Sequence, residues 1–218
     1  MCGRYALYSP RSRIAGEFGV TRNVGGNTPR YNIAPGTAPL TLNARAETLA
    51  FEQLRWGYRP HWASAESPTP INARAERVAT SPYFREAFAH HRCLVPADGW
   101  YEWQAGEGGK QPYYHYHAEG ALLYFAGVYA CTPDGAPAGF AIITVPAKAR
   151  AATVHPRMPL ILAPACLGAW MDPAITRHAA IREASVRLDS EVIALHAVST
   201  RVNRSDAEDA SLIEPPVP

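Results

Sequence analysis

Four groups of residues carry side chains that could do chemistry, and the first is Cys2. A small residue after the initiator methionine permits removal of Met1, which would leave Cys2 with a free α-amine. One residue would then hold two nucleophiles, an amine with a reference pKa of about 7.7–8.0 and a thiol of about 8.5. A 1,2-aminothiol meets an aldehyde by forming an imine, and the thiol then closes a five-membered thiazolidine ring. Gly3 lets a partner approach the backbone closely, and Arg4 sets a phosphate-binding fork beside the nucleophile. If Met1 stays on the chain, the amine does not belong to Cys2 and this chemistry is lost.

The second group lies in I-N-A-R-A-E at residues 71–76. In an extended stretch Asn72 and Arg74 share one face and offer an amide and a guanidinium to the same oxyanion. The third is A-D-G-W-Y-E-W at 97–103, where Glu102 stands among three aromatics. Such surroundings desolvate a carboxyl and raise its pKa toward the range of a general acid/base. The fourth is H-P-R-M-P at 155–159, with His155 as a proton shuttle and Arg157 as a phosphate ligand in a proline-stiffened loop. Each group also has a plain structural reading: a solvated loop, a surface glutamate on an aromatic strand, a structural histidine. Spacing alone does not choose between them.

Other chemistries find less support. His90, His91 and Cys93 sit together, but no second pair at zinc spacing completes a metal site. Cys93, Cys131 and Cys166 lie in apolar stretches and read as inert buried thiols. His115 and His117 alternate on an expected strand. No phosphate-cradling loop, dinucleotide glycine fingerprint or G-x-S-x-G elbow is present, so no cofactor or metal is implied.

The elements that must position these groups are many and short, as 20 Pro and 16 Gly scattered through 218 residues dictate. Strands are expected at residues 4–8, a hairpin at 40–42 and 48–54, then strands at 93–96, 100–104, 113–117, 122–129, 141–145, 160–162 and 192–198. Helices are expected at 11–18, 83–90, 164–171 and 173–181, and a loop at 62–70. No internal repeat or interdomain linker is visible. The pattern describes one α+β domain with a dominant, mostly antiparallel sheet and short flanking helices, followed by an acidic, Pro-ended, mobile tail at 205–218.

Charge narrows the function class. With 21 basic and 19 acidic residues the net charge is +2, too small for an indiscriminate polyanion binder. The first 100 residues hold 12 Arg against 7 acids (12 − 7 = +5), and the rest hold 9 bases against 12 acids (9 − 12 = −3). Nineteen of the 21 bases are Arg, which suits forked contact with phosphate, although a plain compositional preference would give the same bias. At 47% hydrophobic and 18% charged the chain reads as ordinary globular protein. Its longest mostly apolar run, 121–131, is too short to span a bilayer, and M-C-G-R-Y-A-L lacks the n- and h-regions of a signal peptide. A cytoplasmic location is therefore expected, associated with the nucleoid if the source is bacterial, with reduced cysteines.

Taken in order, these motifs resemble the SOS response-associated peptidase (SRAP) family, proteins that shield abasic sites in single-stranded DNA. The series runs M-C-G-R at 1–4, Y-N-I-A-P at 31–35, R-W-G at 55–57, N-A-R-A-E at 72–76 and C-L-V-P-A-D-G-W-Y-E-W at 93–103. It continues with F-A-G-V at 125–128, H-P-R-M-P at 155–159 and V-S-T-R-V-N at 198–203, so the resemblance covers residues 1–204. It implies a barrel-like closure of the sheet. It implies that Cys2 captures the ring-opened abasic sugar as a thiazolidine, with Glu102 as acid/base, His155 beside it and Asn72 orienting the sugar. It implies Arg4, Arg74 and Arg157 as backbone ligands, Trp103, Pro35 and Trp56 as supports for flanking bases, and Thr144 facing the site. A lyase side activity through the imine is implied as well. The chain departs from the family at Pro156, where an acidic residue is common. Two other readings stay open: a cysteine peptidase with Cys2 as N-terminal nucleophile, acting on its own Met1–Cys2 bond, and a non-catalytic single-strand DNA-binding module. Nothing in the sequence demands more than a monomer.

Overall fold

Runs of alternating or continuous β-branched and aromatic residues make strands the dominant element. The computed structural model describes residues 2–19, 26–45 and 48–216. In chain order it contains β1 (Tyr5–Leu7), α1 (Arg11–Glu17), β2 (Arg30–Ile33), β3 (Leu40–Arg45), β4 (Thr48–Gln53), β5 (Arg55–Trp56) and β6 (Asn72–Arg74). There follow α2 (Arg85–His90), β7 (Arg92–Ala97), β8 (Gly99–Gly106), β9 (Gly109–His117), β10 (Leu123–Cys131) and β11 (Pro137–Pro146). The last elements are β12 (Arg157–Pro159), α3 (Leu167–Met171), α4 (His178–Ala184) and β13 (Ile193–Ala197), with short 3-10 turns between them.

The strands form two curled sheets, as the α+β reading expects. One has the order β13-β9-β8-β1-β2; the other has β12-β11-β10-β7-β3-β4, with β5 and β6 running parallel to β11. Between them lies a core that includes Tyr5, Trp56, Trp100, Phe125 and Phe140. The chain passes from the second sheet to the first at Asp98, between β7 and β8. Its buried carboxylate accepts bonds from the Tyr8 and Ser9 amides, each at 2.7 Å, and so fastens this crossover to the end of β1. Gly99 follows because nothing larger fits: a Cβ there would lie 2.4 Å from the His115 carbonyl and 2.5 Å from the Tyr114 ring. Arg92, also buried, donates to the Phe88, Ala89, Trp170 and Asp172 carbonyls, which closes the C-terminal ends of α2 and α3 on β7.

Three sequence expectations change. The strand expected at 160–162 forms instead at Arg157–Pro159, pairing with residues 144–146 of β11, while Ile161 and Leu162 make only isolated bridges. The short strands β2 and β5 have too few residues to show a period and are absent from the sequence reading. Part of the expected mobile tail, residues 207–213, is docked on the fold, while 214–216 are exposed. Leu212 is buried with Ala6, Tyr101, Tyr114, Val198 and Val202, and Glu208 accepts from the amides of Tyr31 and Asn32 and from Arg30 Nε. Residues 217 and 218, the end of that segment, lie outside the described residues, as does Met1.

Candidate functional site

Cys2 leads into β1 and is held from two sides. The Arg4 carbonyl accepts from the Tyr101 amide at 2.9 Å, tying the N-terminal segment to β8, and Asn72 Nδ2 on β6 donates to the Cys2 carbonyl at 2.9 Å. Asn72 is placed by β6, whose parallel pairing with Ile142 and its neighbours on β11 fixes its register. Asn72 Oδ1 is buried and has no hydrogen-bond partner among the described residues. The Cys2 side chain is 0% exposed. Burial pushes its thiol well above the ordinary cysteine range, and the Glu102 carboxylate adds to the shift, so the sulfur is a protonated thiol at neutral pH.

Glu102 follows two residues after Trp100 on β8 and shares its face. It is 3% exposed, and burial pushes its carboxyl up to about 7. At neutral pH both its acid and its base forms are populated, which is the condition for moving protons in either direction. His155 Nδ1 lies 3.9 Å from Glu102 Oε1. The same Nδ1 lies 3.0 Å from the Arg157 amide and 3.1 Å from the Arg157 carbonyl, so the Arg157 backbone holds this edge of the ring. Partial burial lowers the His155 pKa, so the imidazole is neutral where Glu102 titrates. Glu102, His155, Trp103, Lys110 and Asn203 line an open depression of about 410 Å³.

The structure therefore brings Cys2, Asn72, Glu102 and His155 into one neighbourhood. The expected DNA ligands fare differently. Arg74 is exposed on β6, its side chain making no hydrogen bond or ion pair among the described residues, and Pro35 is exposed in the turn after β2. Trp103 lines the depression with its Nε1 donating to Asn203 Oδ1 at 2.7 Å. Trp56 does not match its expected role. It is 1% exposed, packs on Phe140 and Tyr5, and donates from Nε1 to the Ile71 carbonyl at 2.9 Å, so it braces the strand that carries Asn72 and has no face left for a base. Arg157 is likewise committed inside the fold. Its fork grips Glu76 at 2.6 and 3.1 Å and the Thr144 carbonyl at 2.6 Å, and the contact holds the Glu76 carboxyl below its ordinary range. Thr144 is fully buried, and its hydroxyl oxygen accepts from Arg157 at 3.2 Å. Arg4 Nη1 donates to Asn32 Oδ1 at 2.8 Å and to the Val202 carbonyl at 2.9 Å, joining the N-terminal segment to β2 and the 200–203 turn.

A family model described as SOS response associated peptidase (SRAP) matches residues 1–205. The chain belongs to the SRAP family. Among curated SRAP relatives, the abasic site processing protein YedK of Escherichia coli is 35% identical over 225 residues, covering 99% of this chain and all of its own. Abasic site processing protein YoaM of Bacillus subtilis is 32% identical, covering 98% of each chain. Abasic site processing protein HMCES of Gallus gallus is 32% identical over 80% of this chain and 62% of its own. A solved structure of a phage-related protein from Bordetella bronchiseptica superposes with a TM-score of 0.76 at 36% identity, covering 90% of this chain and 94% of that one. A protein from Bacteroides thetaiotaomicron shares the fold with a TM-score of 0.83 at 22% identity, over 99% and 100% of the two chains.

Sequence reasoning missed Glu76, Lys110 and Asn203. Glu76 and Asn203 sit inside motifs that the sequence displays, yet their roles depend on partners 81 and 100 residues away. Lys110 lies in the turn end of the β8–β9 hairpin, outside every motif. No helix among the described residues is long and apolar enough to cross a membrane.

Proposed function

We propose that this SRAP protein processes abasic sites in single-stranded DNA as part of the response to DNA damage, capturing the lesion covalently through Cys2. The names of its full-length relatives support the substrate. One observation carries the chemistry: a buried Glu102 carboxyl, titrating near neutrality, lies close enough to Cys2 to influence its thiol.

The reaction starts with loss of Met1, which frees the Cys2 amine. That amine adds to the C1′ aldehyde of the ring-opened sugar, and a C–N bond forms. Glu102 in its acid form gives a proton to the departing hydroxyl, and water leaves as the imine forms. The thiol sulfur then attacks the imine carbon; its proton passes to the nitrogen by way of the Glu102 carboxylate, and the thiazolidine closes. The raised thiol pKa makes this base a requirement, because the sulfur is not ionised beforehand. Asn72 fixes the Cys2 backbone, and His155 exchanges protons beside Glu102. Arg74 meets a backbone phosphate, while Trp103 and Pro35 support neighbouring bases. An abasic position offers no base to read, so the aldehyde is what separates it from ordinary nucleotides. Lyase activity follows if the imine loses a C2′ proton before the ring closes, with the 3′ phosphate leaving with its electron pair.

A peptidase acting on the Met1–Cys2 bond uses the same residues, but a buried and raised thiol is a poor peptidase nucleophile. The test is incubation with an oligonucleotide holding one abasic site. Met1-processed wild type forms a heat-stable adduct; Cys2→Ala forms none, and Glu102→Gln forms it slowly while still binding DNA. Absence of an adduct from processed wild type overturns the proposal.

A further inference from the structure

Among the described side chains, cations are few on the acid/base side of the site. Of the arginines expected to grip phosphate, Arg157 has its fork filled by Glu76 and Thr144, and Arg4 spends Nη1 on Asn32 and Val202. Arg74 is exposed, but on β6, and it does not line the depression beside Glu102 and His155. The lysine there is one of only two in the chain. Lys110 pairs with Ala105 near the turn of the β8–β9 hairpin, two residues along from Pro112, which opposes Trp103. It is exposed, lines the depression, and its side chain makes no hydrogen bond or ion pair among the described residues. Its charge reaches His155, which it disfavours from protonating.

We infer that Lys110 is a DNA ligand: its ammonium holds a phosphodiester flanking the abasic sugar in the depression lined by Trp103 and Asn203. A flexible ammonium with no side-chain partner among the described residues is suited to a point contact with phosphate. The Arg157 fork and Arg4 Nη1, by contrast, already have partners within the fold. Trp103, its ring edge pinned by Asn203, offers a surface beside that phosphate. Glu102 at the inner end repels a second phosphate when ionised, so the strand is seated at the rim with only the sugar directed inward. The inference rests on the abasic-site reading, and it concerns strand binding, separate from the covalent step.

The experiment measures binding of the full-length protein to a single-stranded oligonucleotide carrying a tetrahydrofuran residue, which has no aldehyde and cannot crosslink. Binding is followed from 50 to 300 mM salt for wild type, Lys110→Ala, Lys110→Arg and Lys148→Ala, with thermal melts to confirm folding. One phosphate contact on a single strand contributes about 0.7 to the slope of log K against log salt. Lys110→Ala should lower that slope by about 0.7 and weaken binding about five-fold at 100 mM salt. Lys110→Arg should restore both, and Lys148→Ala, the other exposed lysine, should change the slope by much less. An unchanged slope in Lys110→Ala, or an equal loss in Lys148→Ala, overturns the assignment. Failure of wild type to crosslink a natural abasic site, with these slopes as expected, would refute the Cys2 chemistry and leave Lys110 in place.

Discussion

Glu102→Gln should stabilise the protein at pH 8 while it slows the chemistry. The wild-type carboxyl titrates at about 7 in the fold, against an ordinary 4.5 once unfolding returns it to water. The folded state therefore holds its proton more tightly than the unfolded one, and stability falls as pH rises through the interval from 4.5 to 7. Each pH unit of difference corresponds to about 1.4 kcal/mol. Most of the interval lies above pH 5, so wild type loses roughly 2–3 kcal/mol between pH 5 and pH 8 through this one group. Glutamine keeps the shape and has no proton to lose. For a chain of this size about 1 kcal/mol moves Tm by 2–4 °C. Melting curves of both proteins at pH 5, 6, 7 and 8 should show the variant gaining about 5–10 °C on wild type across the series. Groups distant from Glu102 are common to both and cancel in the difference. Cys2 and His155 lie beside it, and the same series in Glu102→Gln/His155→Ala follows them in parallel. A Tm difference that stays constant with pH, or one that turns against the variant at pH 8, would refute the assignment of Glu102 as a buried, near-neutral carboxyl.

Further expectations concern placement and packing. Asn72→Ala removes the bond to the Cys2 carbonyl and should cost about 1 kcal/mol in urea denaturation while slowing crosslinking many-fold; an unaltered rate would show that Cys2 is positioned without it. Gly99→Ala drives a Cβ into the Tyr114 ring and into the His115 carbonyl, a backbone neighbour that β-pairing holds in place. Its expected loss is about 1–3 kcal/mol by chemical denaturation. Leu212→Ala should cost about 2–5 kcal/mol by the same measurement, because this residue fills the second core cluster. A free tail would show no change.

How much of this was legible in the sequence depends on the range of the signal. Cys2, Asn72, Glu102 and His155 lie in short ordered motifs, and local environment sufficed for Glu102, since the three aromatics around it foreshadow burial. Partnership over long range was invisible. Nothing near Arg157 tells that Glu76, 81 residues away, will fill its fork. Trp56 failed for a related reason: an indole beside Gly57 reads equally as a stacking platform or a core plug, and its packing on Phe140 decides. The tail misled because its acids and prolines suggest solvation, whereas Glu208 and Leu212 have specific partners on β2 and in the core. Strand boundaries slipped where prolines crowd the signal, as at 157–162. The antiparallel framework needed only alternation and turns, and it was readable throughout β7 to β11.

The most direct test of the central claim is the site of attachment. Protein crosslinked to an abasic oligonucleotide is digested, and the modified peptide is sequenced by mass spectrometry. The expected result is a sugar remnant on residue Cys2, with Met1 absent and the mass reduced by one water relative to the sum of peptide and aldehyde. The adduct should also survive borohydride unchanged, as a closed ring does and an imine does not. Attachment at Lys110 or any other side chain, or at a chain that still carries Met1, would contradict the account.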